Sequence, residues 1–161
     1  MQKKTDGASV FKQRITELYF DKVYRLALSR TGSRSHADDV VQEVFIRFLK
    51  TDTVFESEEH AKAWLIKVTV NCSKNVFSSS WFKRTVPLSE EITFNDSYSG
   101  DVYLTVSKLP QKYRTVIHLF YYEDMSIKQI ADILGTKETT VKSQLHRARE
   151  MLKPMLDEED L

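Results

Sequence analysis

Between Ser126 and Leu152 the apolar residues leave this chain few ways to fold. Ile127, Ile130, Ala131 and Leu134 recur at helical spacing, Gly135 interrupts, and Val141, Leu145, Ala148 and Leu152 resume the period. Two amphipathic segments meeting near one glycine describe a helix, a tight turn and a second helix. Ala131 lets the helices approach where they cross, and Gly135 is expected to take the positive φ that ends the first without a Cβ clash. Ser126 and Gln129 have capping-box spacing at its start. The second helix carries Lys142, Ser143, His146 and Arg147 away from the apolar stripe. That is the pattern of a helix-turn-helix whose outward residues enter a major groove, where cations meet guanine acceptors and phosphates. A plain helical hairpin with solvated Lys and Arg would show the same local pattern, so the rest of the chain must separate the two.

The rest is also helical in period. Val10, Ile15, Leu18, Tyr19, Val23, Leu26 and Ala27 predict a helix from Val10 to about Leu28, and Val41, Val44, Phe45, Phe48 and Leu49 predict an inward stripe on a second, Val40 to Leu49. Between them Gly32 is a breaker, Ser35 a candidate N-cap, and Asp38 and Asp39 fall in the first turn, where the helix dipole favours negative charge. "TDTVFESEEHA" reads as a loop. A third helix runs from about Glu59 to Phe77, with Trp64 read as a core residue. Pro110 marks the start of a further helix with Leu109, Tyr113, Val116, Ile117 and Phe120 as its stripe. Only 4 Gly and 3 Pro in 161 residues leave little room for a turn-rich all-β fold. The stretch Thr85 to Asp101 lacks helical periodicity and contains Pro87, Gly100 and several Ser, Asn and Asp residues. It reads as a flexible linker. The expected fold class is therefore all-α: two small helical domains, residues 8–84 and 102–156, joined by a linker, 85–101, the second domain holding the helix-turn-helix.

A net charge of +1 conceals a segregation that a phosphate backbone would sense. From His36 to His60 seven acidic residues face two basic ones; from Ala61 to Thr85 there are five basic residues and no acidic one; from Lys137 to Lys153 five basic residues oppose two acidic ones. The linker separates the two basic segments. No apolar run approaches the roughly 18 residues of a membrane span, and "MQKKTDGAS" lacks the apolar core of a signal peptide. Cys72 is alone, and no Cys or His cluster has metal-ligand spacing. A cytoplasmic protein without membrane insertion, metal or cofactor is expected.

Three stretches, "ADDVVQEVFIRFL", "AWLIKVTVNCSKN" and "LPQKYRTVIHLFYYEDMSIKQIADILGTKETTVKSQLHRARE", stand in one order along nearly the whole chain. In this the sequence resembles the extracytoplasmic-function sigma factors of bacterial RNA polymerase, which keep only the second and fourth conserved sigma domains. The resemblance implies a promoter-specificity subunit without covalent chemistry. Asp39, Gln42 and Glu43 would contact the clamp coiled coil of the largest polymerase subunit, with charge complementarity speeding docking and fixing register. The flap of the second-largest subunit would be a further contact. Asn71, with Asn75, would hydrogen-bond non-template bases of the minus-10 element, Phe55 to Ala61 would wall a pocket for a flipped base, and Lys67, Lys74, Lys83 and Arg84 would follow phosphates. Lys142, Ser143, Gln144, His146 and Arg147 would read the minus-35 element, with Lys137 and Thr140 on backbone phosphates. Many relatives carry a cation where Gln144 and Phe120 stand. The family also implies promoter DNA and an inhibitory anti-sigma factor as partners.

Two other readings use the same residues. A helix-turn-helix regulator acting without a sigma role would bind its site without polymerase. An enzyme would recruit His36, Asp38, Asp39 and Glu43 to a metal, although paired-helix carboxylate sites want inward Glu-x-x-His repeats and none is present.

Overall fold

The computed structural model describes residues 2–78 and 105–159, and its elements there are helical throughout. The expected all-α class holds, with no strand among the described residues. The chain divides into two compact units, Met1–Leu28 with Arg34–Val86, and Ser29–Ser33 with Pro87–Leu161. The linker 85–101, Lys83 and Arg84 lie outside the described residues, and of Asn75 only its backbone place in a helix is described.

The first unit is built on α1 (Gln2–Thr31), α2 (Arg34–Lys50) and α3 (Glu58–Ser78). Helix α1 starts eight residues before the apolar period does, because a nucleated helix propagates through good formers such as Gln, Lys and Ala without needing a buried face. Gly32 (φ 68) follows it, and α2 begins two residues later. That early start corrects two expectations: Ser35 lies inside α2 rather than capping it, and Asp38 and Asp39 fall beyond a first turn that holds no acid. Ile15, Val23 and Leu26 from α1, Val40, Val44 and Phe48 from α2, and Leu65 and Val70 from α3 are all at most 3% exposed. Thr69 and Ser73, wholly buried on α3, donate to the carbonyls of Leu65 (2.6 Å) and Thr69 (2.7 Å). Their hydroxyls are thereby satisfied within the helix, and their small volume leaves room for α2 to pack on α3.

Polar contacts fix the ends. Lys12 Nζ donates to the carbonyls of Leu49 (3.3 Å) and Thr51 (2.9 Å), placing a cation at the negative end of α2. Tyr19 donates to Glu58 Oε1 at 2.9 Å, and Arg14 lies 3.6 Å from Glu58 Oε2, tying α1 to the first turn of α3.

The second unit contains α4 (Gln111–Ile117), a π turn (His118–Tyr122), α5 (Ile127–Leu134) and α6 (Glu138–Glu159). Pro110 is the N-cap of α4, one residue before the helix, and its carbonyl accepts from Tyr113 and Arg114 at 3.0 Å each. The π turn closes with Glu123 N–H on the His118 carbonyl (3.2 Å), and Asp124 then takes φ 53. Helix α5 is fixed at both ends. Ser126 accepts from Gln129 N–H at 3.1 Å while Gln129 Oε1 accepts from Ser126 N–H at 2.9 Å, and Gly135 stops the helix at φ 66. Val116, Leu119, Ile130, Val141, Leu145 and Ala148, each 0–1% exposed, close the core between α4, the π turn, α5 and α6.

Candidate nucleic-acid interface

Helix α6 presents the expected outward set. Lys142, Ser143, His146 and Arg147 are exposed, opposite the buried stripe of Val141, Leu145, Ala148 and Leu152. Gln144 is half-buried beside that stripe and Thr140 half-buried at the helix start, while Lys137 is exposed and lends its carbonyl to Val141 N–H at 3.2 Å. The Arg147 guanidinium, hydrogen-bonded to the Tyr113 phenol, holds the Tyr113 hydroxyl below its ordinary pKa; burial opposes that and the Lys112 ammonium adds to it. Tyr113 thus buries its ring while its hydroxyl meets two cations at the surface. Capping box, left-handed glycine and buried Val141 together hold the helix pair in a fixed presentation, which is what a major-groove reader requires.

On α3, Lys67, Asn71 and Lys74 are exposed at positions i, i+4 and i+7, so they share one face. Phe55 precedes that helix in an aromatic nest: its ring centroid lies 5.4 Å from Phe48, 5.8 Å from Trp64, 6.3 Å from Phe11 and 5.3 Å from His60. Phe55 and Trp64 are both half-buried. The nest therefore fixes the loop before α3 and leaves aromatic surface beside it, and the segment 55–61 is part loop and part first turn of α3.

The exposed face of α2 contains residues that periodicity alone had hidden. Asp39, Gln42, Ile46 and Leu49 follow one another at intervals of 3, 4 and 3 and are all exposed. Leu49, expected to face inward, is 58% exposed and Ile46 47%, so the stripe is polar at its N-terminal end and apolar at its C-terminal end. Glu43 lies to one side, where Arg47 Nε donates to its Oε1 at 2.7 Å and the Arg47 pKa is raised by that bond. Leu49 extends the period of the inward set, while Ile46 sits off it; that mismatch was the available signal. His36 is buried whereas Asp38, Asp39 and Glu43 are exposed, so these four do not converge on a metal. Among the described residues no helix is long and apolar enough to cross a membrane.

A helical unit with one partly apolar open face, followed in sequence by a helix-turn-helix unit with exposed cations, defines a bipartite DNA-binding transcription protein. Residues 15–82 match the sigma-70 region 2 family and residues 99–152 match sigma-70 region 4. RNA polymerase sigma factor SigV of Bacillus subtilis is 32% identical, the match covering 100% of this chain and 99% of the relative. The ECF RNA polymerase sigma-E factor of Haemophilus influenzae is 31% identical over 83% of this chain and 81% of its own. The sigma factor RpoE of Bartonella quintana, solved in complex with the anti-sigma factor NepR, superposes with a TM-score of 0.69 at 25% identity, covering 91% of this chain and 96% of that one. The chain belongs to the extracytoplasmic-function sigma factors of RNA polymerase, and is an alternative sigma factor that directs transcription initiation.

Proposed function

We propose that this sigma factor divides promoter recognition between its two units and attaches to core polymerase through α2. The observation that carries the reading is the pairing, in one chain of this family, of a fixed helix-turn-helix bearing exposed Lys142, His146 and Arg147 with an open α2 face bearing Asp39, Gln42, Ile46 and Leu49. On α2 the polar residues, with Glu43, give register and on-rate against a basic clamp coiled coil, and the two apolar residues supply buried area. Lys67, Asn71 and Lys74, continued in sequence by Asn75, Lys83 and Arg84, meet the minus-10 strand. An unpaired base there stacks beside the Phe55 nest, which offsets the lost pairing. Lys142, Ser143, Gln144, His146 and Arg147 read the minus-35 element while Lys137 and Thr140 hold its phosphates. The protein performs no covalent chemistry and works in the cytoplasm. The flap of the second polymerase subunit and an anti-sigma protein, as the Bartonella quintana sigma factor has, complete its partners.

Run-off transcription sequencing with core polymerase tests this, read beside permanganate reactivity of promoter thymines. Defined start sites with two upstream elements, and melting only in the presence of both proteins, are expected. Protection of a site by the protein alone, with no transcript from any promoter, would overturn the sigma reading in favour of a free-standing regulator.

A further inference from the structure

Arg149 belongs to none of the contacts assigned above, yet it is the most firmly held exposed cation of α6. Its Nε donates to the Tyr121 hydroxyl at 2.8 Å, and its guanidinium carbon lies 5.6 Å from both the Phe120 and the Tyr121 ring centroids. Those rings meet edge to face at 4.9 Å and 76°, so the three side chains brace one another. The arginine stem lines an apolar cavity of about 610 Å³ with Ile117, Tyr122, Leu152 and Leu156. Nε is thus engaged and the stem packed, while the two terminal Nη groups meet no acceptor among the described residues. A free surface arginine must surrender most of its rotamer freedom on binding an anion; this one has surrendered it in advance.

The helical period decides where that fork sits. Lys142, His146, Arg149 and Lys153, at i, i+4, i+7 and i+11, are all exposed and share one flank of α6. They span roughly 16 Å along the axis. Such a line suits a row of phosphates along a groove edge better than a single carboxylate.

Resting on the minus-35 reading of α6, we propose that Arg149 is a pre-set backbone-phosphate contact of the recognition helix, with Phe120 and Tyr121 as its positioning residues. The test uses the full chain reconstituted with core polymerase on a promoter duplex identified by run-off sequencing, with affinity measured across salt. Each phosphate contact adds about 0.9 to the slope of log K against log salt. Arg149→Gln should weaken binding, lower the slope by about that amount, and narrow the wild-type advantage about threefold between roughly 50 and 200 mM salt. Tyr121→Phe keeps the cation and both rings but frees Nε, so binding should weaken severalfold with the slope unchanged. A purely structural role would lower both variants' melting temperatures and leave the Arg149→Gln slope intact. Unchanged affinity and slope in Arg149→Gln overturn the proposal, as does weakened assembly with polymerase at constant slope, which would assign Arg149 to a protein carboxylate. If the wild-type holoenzyme engages no promoter, the minus-35 reading itself fails.

Discussion

Replacing Ile46 and Leu49 together by alanine separates folding from docking on the same helix. Both side chains are about half exposed, 47% and 58%, so truncation removes little that the folded protein has buried. Alanine is also the better helix former, and the double variant should melt with a change within about 0.5 kcal/mol of wild type. Against a clamp surface the account differs. Full burial of such a side chain contributes about 1.5–3 kcal/mol, so covering the remaining half contributes roughly 1 kcal/mol each. Together that is ~2 kcal/mol, or about 30-fold in Kd for core polymerase. Phe48→Ala gives the contrasting control, since Phe48 is 0% exposed and touches Phe45, Phe55 and Trp64; it should cost about 3–5 kcal/mol of stability. Interferometry with immobilised core polymerase, beside urea unfolding of each variant, reads both quantities. Wild-type affinity in the double variant, in a preparation where the wild type binds, would refute the apolar half of the docking face. A large loss of stability would show that these two side chains are core residues after all.

Arg147→Ala should weaken promoter binding while leaving polymerase affinity alone, and Gln42→Ala should do the reverse; equal effects of both on both partners would dismantle the division of labour. Gly135→Ala should destabilise by about 1 kcal/mol through its left-handed φ of 66, since no atom lies within 4 Å of the added Cβ. Gly7→Ala, equally uncrowded but within helix α1, should stabilise by up to about 1 kcal/mol, and urea midpoints moving in the same direction would contradict that account. Burial pushes the Cys72 thiol above its ordinary value of 9.0, with Arg47 opposing and Glu43 assisting. The native state therefore prefers the protonated thiol. Its contribution is fully present below that ordinary value and is lost as pH rises through the higher native one. Wild type should lose stability relative to Cys72→Ala in that alkaline window, and parallel pH profiles would count against it.

Much of the second unit is legible in the chain because its signals are local and agree with one another. Ser126, Gln129, Ala131, Gly135 and Val141 each do in the fold what their type and spacing suggest. The boundaries of α1 and α2 were harder. Polar residues 2–9 carry no apolar period, and a helix that begins just two residues after a left-handed glycine leaves no room for the separate capping residue that Ser35 suggested. The α2 face was misread for a related reason: Leu49 continues a heptad-like run, and only packing shows that the core ends at Phe48. The role of Phe120 was out of reach from sequence, because its effect runs through Arg149, 29 positions later, and depends on the π turn that brings the two together.

That turn has a consequence for which changes the chain can absorb. Five residues in a widened turn, where α-helical winding would need fewer, rotate everything after them relative to α4. Deleting a single residue from His118 to Tyr122 would let the segment relax to ordinary winding and swing the following side chains by roughly a quarter-turn or more. Phe120 and Tyr121 would leave Arg149, and Ser126 would reach α5 from a different direction. Substitutions here cost what the individual contacts are worth, but a change of length costs the phase of the whole helix-turn-helix. Sigma factors of this type that share the arrangement should therefore vary freely in side chains along this stretch while keeping its residue count constant.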